Sequence, residues 1–156
     1  MIENDTVRLL RECDAGADMG ISAISDVMNR VGSSALKMAL NRCKNEHEKL
    51  KTEISIMLDC CHDEGKEPSP VAKGMSWIKT NIKMAADESD ETAGLRSVRL
   101  TVSSAADLLT DGCDMGTKSL WKYLNRCKAA SEKSRDIAKR LIQLEEDLRT
   151  DLRQYL

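Results

Sequence analysis

The chain has no phenylalanine and only two Trp and two Tyr, so aromatics are 3% of its 156 residues. A core made from it is aliphatic, filled by Leu, Ile, Val, Met and Ala, which suits helix packing better than a sheet sandwich. Proline is confined to Pro68 and Pro70, leaving long helices uninterrupted on either side. His47 and His62 are the only histidines. Six Cys are present, at 13, 43, 60, 61, 113 and 127, but there is no Cys-x-x-Cys pair, which argues against a zinc ribbon or a thioredoxin-like site. They are expected to be free thiols packed as small hydrophobes, with one of the adjacent Cys60 and Cys61 buried and the other exposed. Charge is nearly balanced at −2, so neither nucleic acid nor a membrane is expected as a partner. No apolar run approaches the ~20 residues of a membrane span. Met1 to Asp5 is acidic and polar, unlike a secretory signal, and a cytoplasmic protein is expected. A glycine-rich phosphate loop and a nucleophile motif with its base are both missing.

What the chain has is helical periodicity. Leu36, Leu40, Cys43, His47, Leu50, Ile54, Met57 and Cys61 recur at alternating spacings of four and three, one stripe down a long helix. Lys37, Asn41, Lys44, Glu48 and Lys51 fill its opposite side. An earlier helix, capped by Asp5 or Thr6, carries Val7, Leu10, Asp14, Ala17, Ile21, Ile24, Met28 and Val31. Gly16 and Gly20 inside it cost about 1 kcal/mol each relative to Ala, and close approach to a neighbouring helix is their expected use. Gly32-Ser33-Ser34 is a break short enough to force an antiparallel hairpin. A third helix is expected to carry Leu95, Val98, Val102, Ala105, Leu109, Gly112, Gly116, Leu120 and Leu124. After a break near Lys128 to Ser131, a last helix carries Ile137, Leu141, Leu144, Leu148, Leu152 and Tyr155.

The two halves resemble each other. Asp18-Met19-Gly20 recurs as Asp114-Met115-Gly116, and Asn29-Arg30 recurs at the same offset as Asn125-Arg126. About 30 residues separate Gly65 from Leu95, too many for the short middle loop of an up-down-up-down bundle. They include a stop at Gly65, Pro68 and Pro70, a short helix over 71–85 and an acidic turn over 87–91. The expected fold is all-α, one domain over 1–156: a ferritin-like four-helix bundle of two antiparallel hairpins, joined by a long crossover carrying a short helix.

The sequence resembles an uncharacterised bacterial family of ferritin-like four-helix proteins. Glu46-His47, Leu50, Glu53-Ile54, Gly65 and Glu67-Pro68 look like that family's charged-pair motif. Ala72 to Lys79 resembles its small crossover helix, and Cys113-Asp114-Met115-Gly116 with Tyr123 resembles its Cys-acid-x-Gly segment. His47 stands where the family more often has Arg, and Thr117 where an acid often follows the glycine. The resemblance implies the fold and no activity.

A di-iron site in such a bundle needs Glu-x-x-His on two helices. Here Lys44 precedes His47 by three and Asp59 precedes His62 by three, while the last helix has no His, so a standard di-iron site is not expected. No cofactor is expected. The alternative is a metal ion at a non-standard site of Asp14, Cys43, His47 and Cys113, in a metal-binding or redox protein. Otherwise His47 is a neutral core histidine bonded to a neighbour such as Asp14. Lys118, Lys122, Arg126, Lys128, Lys133 and Arg135 read as solvated faces. The leading expectation is a non-enzymatic bundle acting through self-association or partner binding, a homodimer favoured, with Leu9, Val27 and Leu108 beside the main stripes as partner surface.

Overall fold

The computed structural model describes residues 4–61, 81–82 and 98–156. It contains four long helices: α1 (Asp5–Met28), α2 (Ser34–Cys60), α3 (Val102–Arg126) and α4 (Glu132–Leu152), with a closing 3-10 turn at Arg153–Tyr155. No strand occurs among the described residues. Asn81 and Ile82 are helical, and Ile82 is buried in the core. The rest of the expected short helix over 71–85, the stop at Gly65, Pro68 and Pro70, the acidic turn over 87–91, His62 and Leu95 lie outside the described residues.

Side chains set the helix ends. Asn4, not Asp5 or Thr6, caps α1, its Oδ1 accepting from the Thr6 N–H at 2.9 Å. Asp5 and Thr6 instead tie down the α3–α4 loop, accepting from the Ala129 and Ser131 N–H groups at 3.0 and 2.8 Å. Ser33, Thr101 and Ser131 cap the other three helices. Thr101 moves the start of α3 beyond Val98, which the periodicity had included in the helix. Arg135 donates to the carbonyls of Leu124 and Cys127, both at 3.1 Å, satisfying acceptors at the end of α3.

Cross-helix contacts fix the directions. Lys51 of α2 meets Asp14 and Asp18 of α1, and Arg149 of α4 meets Asp114 of α3 at 3.1 Å. Arg140 of α4 grips Glu53 of α2 at 2.9 and 3.0 Å, while Ser119 of α3 donates to Glu12 of α1. The Leu100 N–H donates to the Arg30 carbonyl at 2.9 Å, so α3 starts beside the end of α1 and runs back along it. α1 packs against all three other helices, and none of its residues is fully exposed.

That central place of α1 overturns one expectation. Leu9, Val27 and Leu108 are not partner surface: all three are buried in the core, the first two because α1 has neighbours on three sides. The core falls into two clusters. One gathers Ile24, Val27, Leu36, Leu40 and Leu148; the other gathers Leu9, Leu10, Ile54, Leu124 and Ile137. All six cysteines are free, but Cys60 and Cys61 are both exposed rather than divided. The last buried residue of α2 is Ile54, and Met57 and Leu58 beyond it are partly buried against the core.

Arg30 closes one end of the molecule. It is buried, donates to Asp26 at 3.1 and 3.2 Å, and reaches the Val98 carbonyl at 3.2 Å. Its counterpart in the repeat, Arg126, is exposed. Arg30→Ala is expected to lower stability by about 1.5–3 kcal/mol, seen as a lower urea midpoint at unchanged m-value. Arg126→Ala is expected to stay within about 0.5 kcal/mol of the parent.

Candidate functional site

Between the two apolar clusters lies a polar layer. His47 sits midway along α2, on its inward stripe, and is fully buried. Its Nε2 meets Glu145 Oε1 of α4 at 2.8 Å, and its Nδ1 meets the Cys43 carbonyl at 2.9 Å, with Cys43 Sγ at 3.5 Å. Both ring nitrogens therefore face acceptors: a carbonyl, which cannot donate, and a carboxylate. With the carboxylate ionised, a neutral imidazole, which has one N–H, would leave one of these contacts without a proton. Burial alone pushes the ring toward neutrality, but the hydrogen bonds to Cys43 and Glu145 and the carboxylate's charge outweigh it, raising the pKa to about 10. The expectation of a neutral His47 is thus replaced by an imidazolium.

Two glycines make room for the pair. A Cβ on Gly20 of α1 would lie 2.6 Å from His47 Nε2 and 2.7 Å from its Cδ2. A Cβ on Gly116 of α3 would lie 3.7 Å from Glu145 Oε2, an ordinary contact. These are the matching glycines of the repeat, and so all four helices contribute to the layer. The aspartates before them play matching parts, Asp18 pairing with Lys51 and Asp114 with Arg149.

Of the four residues proposed as ligands, the structure brings Cys43 against His47, and Cys113 against Glu145. Cys113 is buried beside Glu145, and its thiol pKa is driven up by burial first and by Glu145 next. Asp14 is elsewhere: it lies half-exposed on Lys51, 3.3 Å away. Burial and the nearby Glu12 and Asp14 carboxylates push the Cys13 thiol up to about 12. Neither buried thiol is a ready thiolate nucleophile. Among the described residues, no group of three or more His, Cys, Asp and Glu side chains is arranged to hold a metal ion.

Glu145 was the residue missed. Its signal was present, since Leu141, Glu145, Leu148 and Leu152 repeat at four, three and four.

Beside this layer a cavity of about 280 Å³ opens between α1 and α3. Gly16, Gly20 and Ala23 line one wall, Gly112 and Gly116 the other, and Met19 and Met115 lie among them. Its polar lining is the Glu145 carboxylate with Glu12 and Ser119. Small residues on two antiparallel helices leave the space, and the two methionines offer flexible, polarizable walls. No protein-family model matches this chain, and no curated protein and no solved structure does either.

Two predictions follow from this geometry. Gly20→Ala is expected to destabilise by about 2–4 kcal/mol despite alanine's better helix propensity, because the methyl displaces a ring held at both nitrogens. Gly16→Ala, whose Cβ would sit 3.6 Å from Leu141 Cδ2, is expected to be neutral or to stabilise by up to about 1 kcal/mol. Thermal unfolding of the two variants should differ in sign.

The raised His47 pKa has a definite direction in stability. Its contribution is complete below the unfolded value of 6.5 and is lost as pH rises toward about 10. Between pH 6.5 and 9 stability should therefore fall with pH, at no more than about 1.4 kcal/mol per unit for this one proton. Above 9 the buried thiols Cys13 and Cys113 add a loss in the same direction. Imidazole ¹⁵N shifts should report His47 doubly protonated at pH 8; a neutral ring there refutes the assignment.

Proposed function

We propose that this protein is a non-enzymatic, cytoplasmic, ferritin-like bundle that works by binding a small molecule in the cleft between α1 and α3. The observation that carries the reading is the contrast between two adjoining places. His47 and Glu145 satisfy each other inside the bundle, where a ferritin-like protein would hold metal ions. Immediately beside them an apolar space of about 280 Å³ remains open, near the lower end of the usual range for ligand pockets. Nothing in that space offers an activated nucleophile, because the Cys113 thiol is held in its neutral form.

The ferritin-like connection draws support from the helix directions. α2 runs antiparallel to α1, yet α3 starts beside the end of α1, where Leu100 meets Arg30. A homodimer is part of the same proposal. Since Leu9, Val27 and Leu108 are buried, its apolar surface has to come from side chains such as Met38, Ile56 and Trp121, which are exposed.

The test uses a neutral probe, cyclohexanol, titrated into ¹⁵N-labelled protein, with elemental analysis of the same sample. Saturable shifts confined to the amides of Gly16, Gly20, Gly112 and Gly116, with substoichiometric metal, are the expected result. A stoichiometric metal lost in His47→Gln would overturn the reading in favour of a metalloprotein.

A further inference from the structure

The lining of the cleft is lopsided in charge. Two carboxylates, Glu12 and Glu145, border it, and among the described residues no Lys, Arg or His does. Glu145 is the deeper of the two, with its residue 8% exposed. Its Oε1 faces His47, and Oε2 lies on the Gly116 side, where the absence of a Cβ leaves the approach open. His47 lies behind the carboxylate and does not line the space.

We infer that the cleft is a site for a small lipophilic amine, its ammonium donating to Glu145 Oε2 while its hydrocarbon part fills the space between Met19 and Met115. This rests on the cleft being a binding site at all, as proposed above. Charge decides the class of guest. An ammonium donating to a carboxylate makes a charge-assisted hydrogen bond, about twice as strong as a neutral one. An alcohol of the same shape keeps the apolar contact and still donates to the carboxylate, but without the attraction of a positive charge. A carboxylate of the same shape meets two like charges and no cation among the described lining residues, and leaves a desolvated anion unpaired. The methionines fit the other end of the molecule, since thioether side chains adapt to irregular apolar shapes. Met115 is 46% exposed, so the mouth of the cleft is open to solvent on its side.

Gly116 supplies a test that leaves the His47–Glu145 pair in place. Gly116→Ala sets a methyl 3.7 Å from Oε2, a distance that needs no rearrangement, and alanine favours the helix. The variant is expected to fold with an unfolding midpoint at or above the parent's.

The experiment compares cyclohexylamine, cyclohexanol and cyclohexanecarboxylate at pH 7 by calorimetric titration, in the parent protein and in Gly116→Ala. The expected result is amine binding at least tenfold tighter than alcohol, no measurable carboxylate binding, and an amine preference reduced to twofold or less in the variant. Equal binding of amine and alcohol, or tightest binding of the carboxylate, overturns the amine assignment while leaving the cleft a binding site. An amine preference that survives in Gly116→Ala overturns the role given to Oε2. Failure of all three probes to bind overturns this inference together with the proposed function.

Discussion

The hydrogen-bonded ion pair between His47 and Glu145 is the constraint the rest of the molecule accommodates. Two charged groups withdrawn from water carry a desolvation penalty of several kcal/mol each, and their attraction offsets it only when geometry and further hydrogen bonds are good. Both conditions are met here. The contact is 2.8 Å, and the other ring nitrogen has the Cys43 carbonyl. Among the described residues no buried side-chain nitrogen or oxygen lacks a partner.

The pair explains the placement of small residues. Gly20 is the point where α1 yields to the imidazole, and Gly116 is the point where α3 faces the carboxylate. Each occurs in an Asp-Met-Gly triplet, and each triplet's aspartate holds a base on the other helix of its own hairpin. The repetition in sequence is thus a repetition of function within the layer. Gly20 gives way to the ring at less than contact distance, whereas Gly116 leaves ordinary space. The cavity opens along the same line because the residues that admit the pair are too small to close the groove above it.

Much of this was legible beforehand, and the failures share a cause. The inward stripe of α2 was readable in full as far as Ile54, including the burial of His47, because α2 shows one face to the core. α1 was harder, since a helix with neighbours on three sides has no single stripe. Asp14 therefore passed for an inward residue when it faces Lys51 at the surface, and Leu9 and Val27 passed for outer ones. Glu145 was lost for a different reason: a lone acid in an apolar stripe looks like a solvated charge until its partner on another helix is known. Periodicity gives the face of a residue and not its partner, so His47 was located while its bond was assigned to the wrong helix.

A polar layer in the middle of a bundle is not the arrangement that maximises stability. Replacing such a pair by well-packed apolar side chains is often neutral or stabilising. Its presence therefore calls for a reason beyond the fold, and the side of the carboxylate away from His47 supplies one. An ionised group bordering an apolar space loses hydration on that side and gains from a partner charge. The imidazolium behind it, itself protected from solvent by Cys43 and the walls of α2, provides that support without entering the space. In the proposed site, one helix presents a negative group to an apolar cleft while another carries the compensating charge out of reach of the proposed guest. Two glycines on two further helices keep the path to it open, and that division of labour among four helices is what a purely structural pair would not need.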